Sequence, residues 1–355
     1  MKMVFRWFGS NDDSVSLEEI RQIPGMTGVV SALQEIPVGE LWPLEKIMEL
    51  KKEVNEAGLE LEVIESVNIH EDIKLGLPTR DKYIDNYIIT IKNLAEAGIK
   101  VICYNFMPVF DWLRSDLSRL LEDGSETMSY DEQKINNTDP VKLVEEYEKE
   151  NSEFSLPGWE AERLAELKNI MEKYKDIDED DLFANLAYFL EKVIPVCEEN
   201  EIKLAIHPDD PPWPIYGLPR IMTGLDNMRR ILDLVDSPYN GLTLCSGSLG
   251  SNPANSVSDL IREFGSRIHF AHVRNLKFDG DGKFHETSHL SSDGSLDLYE
   301  IMKAYYEIGF KGYLRPDHGR MIWGEKARPG YGLYDRALGA TYINGLWEAI
   351  RKTNR

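Results

Sequence analysis

Cysteine is scarce in this chain. Only Cys103, Cys197 and Cys245 occur among 355 residues. An odd number at wide spacing gives no disulfide framework, so stability must come from a packed core and the thiols are expected to be reduced. Long hydrophobic runs are also missing. No stretch approaches the roughly 18 apolar residues of a membrane span, and the N-terminal MKMVFRWFG has neither the apolar stretch nor the cleavage site of a signal peptide. Both absences point to a cytoplasmic protein. Positive charge is in deficit, with 40 Lys and Arg against 62 Asp and Glu and a formal net charge of −22. A field of that sign disfavours nucleic acid and anionic membranes. It leaves a small anionic substrate open, because a metal and a few arginines can reverse the potential inside one pocket.

What is present is alternation. Short β-rich runs are followed by longer amphipathic ones, the pattern of βα units on a parallel sheet. The strand candidates are Met3–Phe8, Gly28–Ala32, Leu59–Ser66, Ile99–Phe106, Ile202–His207, Gly241–Cys245, Ile268–Arg274 and Gly312–Asp317. Helical runs separate most of them, for example Arg80–Ala97, which Gly98 terminates. Eight such units in one chain predict a single α/β domain over residues 1–355, a (β/α)8 TIM barrel. The runner-up, a doubly wound open sheet, would place a glycine-rich phosphate loop after the first strand. WFGSNDDS does not fit G-x-G-x-x-G. The rhythm breaks between residues 107 and 177. That stretch is too long for an ordinary connection, and Asp139–Glu150 and Trp159–Lys173 have helical character. It is expected to be a helical insertion after strand four, a lid or subdomain, with a solvated excursion as the alternative. A hairpin-like loop is expected within Asn275–Ser295.

Active sites of such barrels lie at the C-terminal ends of the strands. Strands five to eight end at His207, Cys245, His272 and Asp317. A lone strand histidine is usually a satisfied core group, and a lone buried cysteine a small hydrophobe. Four metal-ligand types at four consecutive strand ends predict a metal site. Two imidazoles, a thiolate and a carboxylate disfavour Mg2+ and Ca2+ and leave Zn2+, Fe2+, Mn2+ and Co2+. Arg6, Arg274 and Arg320 are candidates for holding a substrate carboxylate, whereas Arg315, deeper in its strand, reads as a structural ion pair. Asn105, His285 and Ser295 are candidate hydroxyl partners. Removing a proton α to a carboxylate and expelling a β-hydroxyl requires an acid and a base. His318 can reach the site of Asp317 only if the strand ends there. Tyr331 could supply a phenolic proton.

These motifs resemble one family. FRWFG, VIES with HEDIKLG, CYNFMPVFDWLRSDL, AIHPDDPPWPIYGLPRI, LCSGSLG, HFAHVRN and RPDHGR…GEKARPGYGLYDRALG are similar to D-mannonate dehydratases from the first residue to the C-terminus. The resemblance implies a xylose-isomerase-like TIM barrel. The implied reaction is dehydration of D-mannonate to 2-keto-3-deoxy-D-gluconate in hexuronate (glucuronate) catabolism. It further implies Mn2+ or Fe2+ on His207, Cys245, His272 and Asp317, acid/base roles for His318 and Tyr331, and a homodimer. Tyr334 stands close by as an alternative tyrosine. Two other classes compete: a sugar isomerase of the same superfamily, whose metal sites are usually carboxylate-rich, and a non-catalytic metal binder, which would not need His318, Tyr331 or the arginines.

Overall fold

A computed structural model describes residues 1–143 and 167–354. The strands, in chain order, are β1 (Lys2–Arg6), β2 (Met26–Ser31), β3 (Glu60–Glu65), β4 (Val101–Tyr104), β5 (Asp116–Leu120), β6 (Glu126–Asp131), β7 (Lys203–Ile206), β8 (Asn240–Cys245), β9 (Ile268–Val273), β10 (Leu276–Gly280), β11 (Lys283–Glu286) and β12 (Tyr313–Pro316). Eight of them close into a parallel barrel in the order β1-β12-β9-β8-β7-β4-β3-β2. This is the expected TIM barrel.

Period-two alternation builds two layers from these strands. Leu61, Ile64, Ile102, Leu204, Leu242 and Leu244 face outward and belong to the large core shared with the helices. Val4, Val30, Val63, Val101, Ala205 and Phe270 form the smaller core inside the barrel. One step of two residues toward the C-terminal end therefore fixes what the barrel mouth receives. Val4 leads to Arg6, Val63 to Glu65, Ala205 to His207 and Phe270 to His272. The surrounding helices start and stop on local signals. Ser16 and Glu19 form a capping box on Leu17–Gln22, and Asp178 and Asp181 form another on Glu179–Glu199. Gly98, at φ 80°, ends Arg80–Glu96 in the left-handed conformation that other residues resist.

The region after β4 begins as sheet. β5 and β6 form an antiparallel hairpin, and β6 pairs with β11 of the expected second hairpin, giving an outer sheet ordered β10-β11-β6-β5. Only then come a short helix, Glu132–Asn137, and helical residues 140–143. Of the helical stretches read from sequence, Leu167–Lys173 is helical, while residues 144–166 lie outside the described residues. The outer sheet has its own core, in which Leu117, Met128 and Tyr130 pack with Leu276, Phe284 and Ile215. Tyr130 and Phe284 face each other across the β6–β11 ladder with ring centroids 5.5 Å apart.

Candidate metal centre and active site

Three of the four strand-end residues converge. The ligand atoms of His207, Cys245 and His272 all lie within 4.8 Å of one another, at the C-terminal ends of β7, β8 and β9. Nε2 of His207 is 3.1 Å from Nδ1 of His272. The outer nitrogens show which way the lone pairs point. Nδ1 of His207 donates to the Pro208 carbonyl at 2.7 Å, and Nε2 of His272 lies 3.4 Å from Oε1 of Glu65. For His207 this puts the proton on the outer nitrogen, as in metal-bound histidines, and leaves the Nε2 lone pair facing His272.

Cys245 and Asp317 complete the set. The sulfur of Cys245 accepts hydrogen bonds from the Ser248 amide at 3.4 Å and its hydroxyl at 3.1 Å. Asp317 Oδ2 is 3.3 Å from that sulfur, and Oδ1 is 3.9 Å from Nδ1 of His272. Metal bonds of about 2.0–2.1 Å to nitrogen or oxygen and about 2.3 Å to sulfur put neighbouring ligands roughly 3.0–3.6 Å apart. The 3.1 Å and 3.3 Å separations fall in that range, and the 3.9 Å from Asp317 Oδ1 to His272 lies just outside it. Donor chemistry and spacing thus fit a transition metal.

The carboxylate of Asp317 is oriented by arginine. Nη1 of Arg315 lies 2.7 Å from Oδ1 and Nε of Arg274 lies 3.2 Å from Oδ2. Burial pushes this carboxyl up, but His318, Arg315 and Arg274 more than reverse that and hold it well below the usual carboxylate range. Glu65 follows the same logic. Burial opposes its charge, and Arg315, at 3.0 Å, with His272 keeps it ionised. Arg315 is therefore an ion-pair partner, as its depth in the strand implies.

A cavity of about 80 Å³ opens onto this cluster, lined among others by Arg6, Asn105, His207, Asp317, His318 and Tyr331. β12 stops at Pro316, so the chain can turn both Asp317 and His318 toward one space. Nε2 of His318 is 3.0 Å from the hydroxyl of Tyr331. Burial raises Tyr331 to about 12, which keeps the phenol protonated at neutral pH. Tyr334, by contrast, is exposed, its ring tilted against that of Trp323. Arg6 is buried, and among the described residues its guanidinium donates only to the carbonyls of Trp7 at 3.2 Å and Val30 at 3.4 Å. Burial lowers its pKa, and no carboxylate among the described residues pairs with it. A buried cation in that state favours an incoming anion.

Three residues read from sequence as substrate contacts sit elsewhere, and a fourth is occupied. Arg320 is bound to Asp335 at 3.0 Å and Asp123 at 3.1 Å outside the cavity. His285 lies on the outer sheet, 2.8 Å from Asp279. Ser295 accepts from the Phe278 amide at 3.1 Å. Arg274 is at the centre but already occupied, 2.6 Å from Asp210, 2.6 Å from Glu286 and next to Asp317. It stands behind the ligands as their counter-charge. Sequence reasoning passed over Glu65, although the Val63–Glu65 alternation places it at the mouth. It also passed over Asp210 and Glu286, for which no local signal exists.

A larger cavity of about 550 Å³, lined by residues including Trp42, His70 and Tyr83, shares Ser66 with the first. It contains none of the strand-end ligands, so size does not decide where the chemistry lies.

The family model for D-mannonate dehydratase (UxuA) matches residues 1–355. A mannonate dehydratase of Thermotoga neapolitana is 66% identical over 354 residues, covering 99% of this chain and 98% of the relative. That of Thermotoga maritima is 65% identical over 357 residues, covering 100% and 99%. The crystal structure of mannonate dehydratase from Streptococcus suis serotype 2 superposes with a TM-score of 0.91 at 49% identity, covering 100% of this chain and 96% of that one. A xylose isomerase domain protein from Planctomyces limnophilus, at 11% identity and a TM-score of 0.57 over 99% of this chain and 98% of its own, shares the fold alone. The chain belongs to the D-mannonate dehydratase family.

Proposed function

We propose that this enzyme converts D-mannonate to 2-keto-3-deoxy-D-gluconate, with Mn2+ or Fe2+ held by His207, Cys245, His272 and Asp317. The observation that carries the reading is one cavity lined both by His207 and Asp317 of the ligand set and by the hydrogen-bonded pair His318–Tyr331. Arg6 binds the substrate carboxylate, because it is the buried cavity guanidinium without a carboxylate partner among the described residues. Asn105 hydrogen-bonds a hydroxyl. The chemistry such an ion supplies when bound is Lewis acidity toward substrate oxygens, which offsets the negative charge that builds as the α proton leaves.

The chain's own groups move the protons. Nε2 of His318 takes the proton from the α carbon. The electron pair left there forms the carbon–carbon double bond as the β carbon–oxygen bond breaks. Oη of Tyr331, a neutral phenol, gives its proton to the departing hydroxyl, which leaves as water. The resulting enol becomes the 2-keto acid by proton shift. Solvent deuterium exchange at the α carbon in His318→Asn checks the assignment: as the base, its loss abolishes exchange and dehydration together. Retained exchange without dehydration would make it the acid.

We place this reaction in hexuronate catabolism, in a cytoplasmic homodimer. No helix among the described residues is long and apolar enough to cross a membrane. Mass spectrometry of D-mannonate incubated with metal-loaded protein tests the function. The product should be lighter by one water. Unchanged mass with a new sugar would indicate an isomerase, and no product a binder.

A further inference from the structure

His318 stands on a loop beyond β12, and its ring is held from the outer sheet. Both carboxylate oxygens of Glu286, the last residue of β11, lie 3.0 Å from Nδ1 of His318. Glu286 is buried and clamped in turn. Arg274 Nη1 is 2.6 Å and Arg114 Nη2 2.7 Å from its Oε1. Arg114 precedes β5 and pairs with Asp210 at 2.7 Å. Burial alone would push the Glu286 carboxyl up, but Arg274, His318 and Arg114 bring it down to about 2. An ionised carboxylate only accepts hydrogen bonds, so Nδ1 donates to it. Arg274 Nη1 also lies 2.5 Å from that nitrogen and carries two protons, one of which goes to Glu286 Oε1 at 2.6 Å. Nε2 is then the ring nitrogen that faces the Tyr331 hydroxyl, at 3.0 Å, and the cavity.

We propose that Glu286 is a positioning residue for the dehydration, fixing the orientation and tautomer of His318 so that Nε2 faces the substrate. It gives the outer sheet a catalytic purpose: β11 delivers Glu286, and the segment entering β5 delivers the Arg114 that anchors it. The inference rests on His318 acting in proton transfer, the reading given above.

A kinetic double-mutant cycle tests it, with metal content and thermal unfolding measured for every variant. Glu286→Gln should lower kcat by about 10- to 100-fold, the scale of a misplaced reacting group, with KM and bound metal unchanged. In a His318→Asn background the same substitution should cost nothing further, because the pair acts as one unit. Wild-type kcat in Glu286→Gln overturns the inference, as does an equal loss in both backgrounds or a loss explained by missing metal. If His318→Asn alone keeps full turnover, the underlying reading fails instead, which is a distinguishable result. Should Glu286→Gln not fold, Glu286→Asp supports the same cycle, since it keeps the charge beside Arg114 and Arg274 but withdraws it from Nδ1.

Discussion

Gly247 carries no chemistry, yet the structure makes it one of the least replaceable positions near the site. A Cβ built there would lie 1.8 Å from Nε of Arg274, 2.4 Å from its Cγ and 2.6 Å from its Cδ. Arg274 has nowhere to go, being fully buried and held by Asp210, Glu286 and Asp317. Gly247→Ala must either evict the guanidinium or shift the turn whose Ser248 amide reaches the Cys245 sulfur. Eviction leaves buried carboxylates without their counter-charge, a loss of about 3–5 kcal/mol. An unfolding entropy of about 2.1 cal/mol/K per residue amounts to roughly 0.75 kcal/mol/K over the chain, so Tm should drop by about 4–7 °C. The variant should also hold less metal, because Asp317 loses its support in the first case and Cys245 in the second. Calorimetry and metal analysis of the purified variant check this. An unchanged Tm with full metal content would refute the packing argument.

Cys245→Ala should weaken metal binding by more than the roughly 10–100-fold that loss of an outer-sphere partner costs, while Cys103→Ala and Cys197→Ala leave it unchanged, as metal titrations of the three variants will show. Cys103 is the sharper control, since it lines the same cavity but takes its hydrogen bond from Thr243 at 3.2 Å. Arg6→Lys keeps the charge and loses the two-pronged geometry, so kcat/KM for D-mannonate should fall about tenfold or more; unchanged kinetics would leave carboxylate recognition to other groups. His269 is not one of the converging ligands, and burial lowers its pKa from 6.5 to about 3. Between those values the unfolded chain takes up a proton that the folded one refuses, so stability is lost as pH falls from 6.5 toward 3. Urea denaturation at pH 7 and pH 4.5 should show His269→Gln losing less stability than the parent over that interval.

The barrel was legible because its instructions are local. Gly98 stops a helix, and Leu242, Leu244 and their counterparts alternate with the inward residues. The same alternation carried His207, Cys245 and His272 to one level. The hairpin β5–β6 was not legible. DLSRL and ETMSYD are short and polar; they pair with each other, and ETMSYD is extended by a hairpin more than 140 residues later. Glu286 and Arg114 were hidden for the same reason, being 172 residues apart in sequence. The arginines show what sequence omits: proximity to the site could be guessed for Arg6 and Arg274, wrongly for Arg320, and nothing told which already had a carboxylate. Only Arg6 of the three lacks one among the described residues.

The central claim is that dehydration depends on a metal at the strand ends. The most direct measurement strips the protein with a strong chelator, verifies its metal content, and follows loss of water from D-mannonate by mass spectrometry before and after adding Mn2+ or Fe2+. The account predicts no product from the stripped protein and recovery with either ion. Full turnover by verified metal-free protein would contradict it.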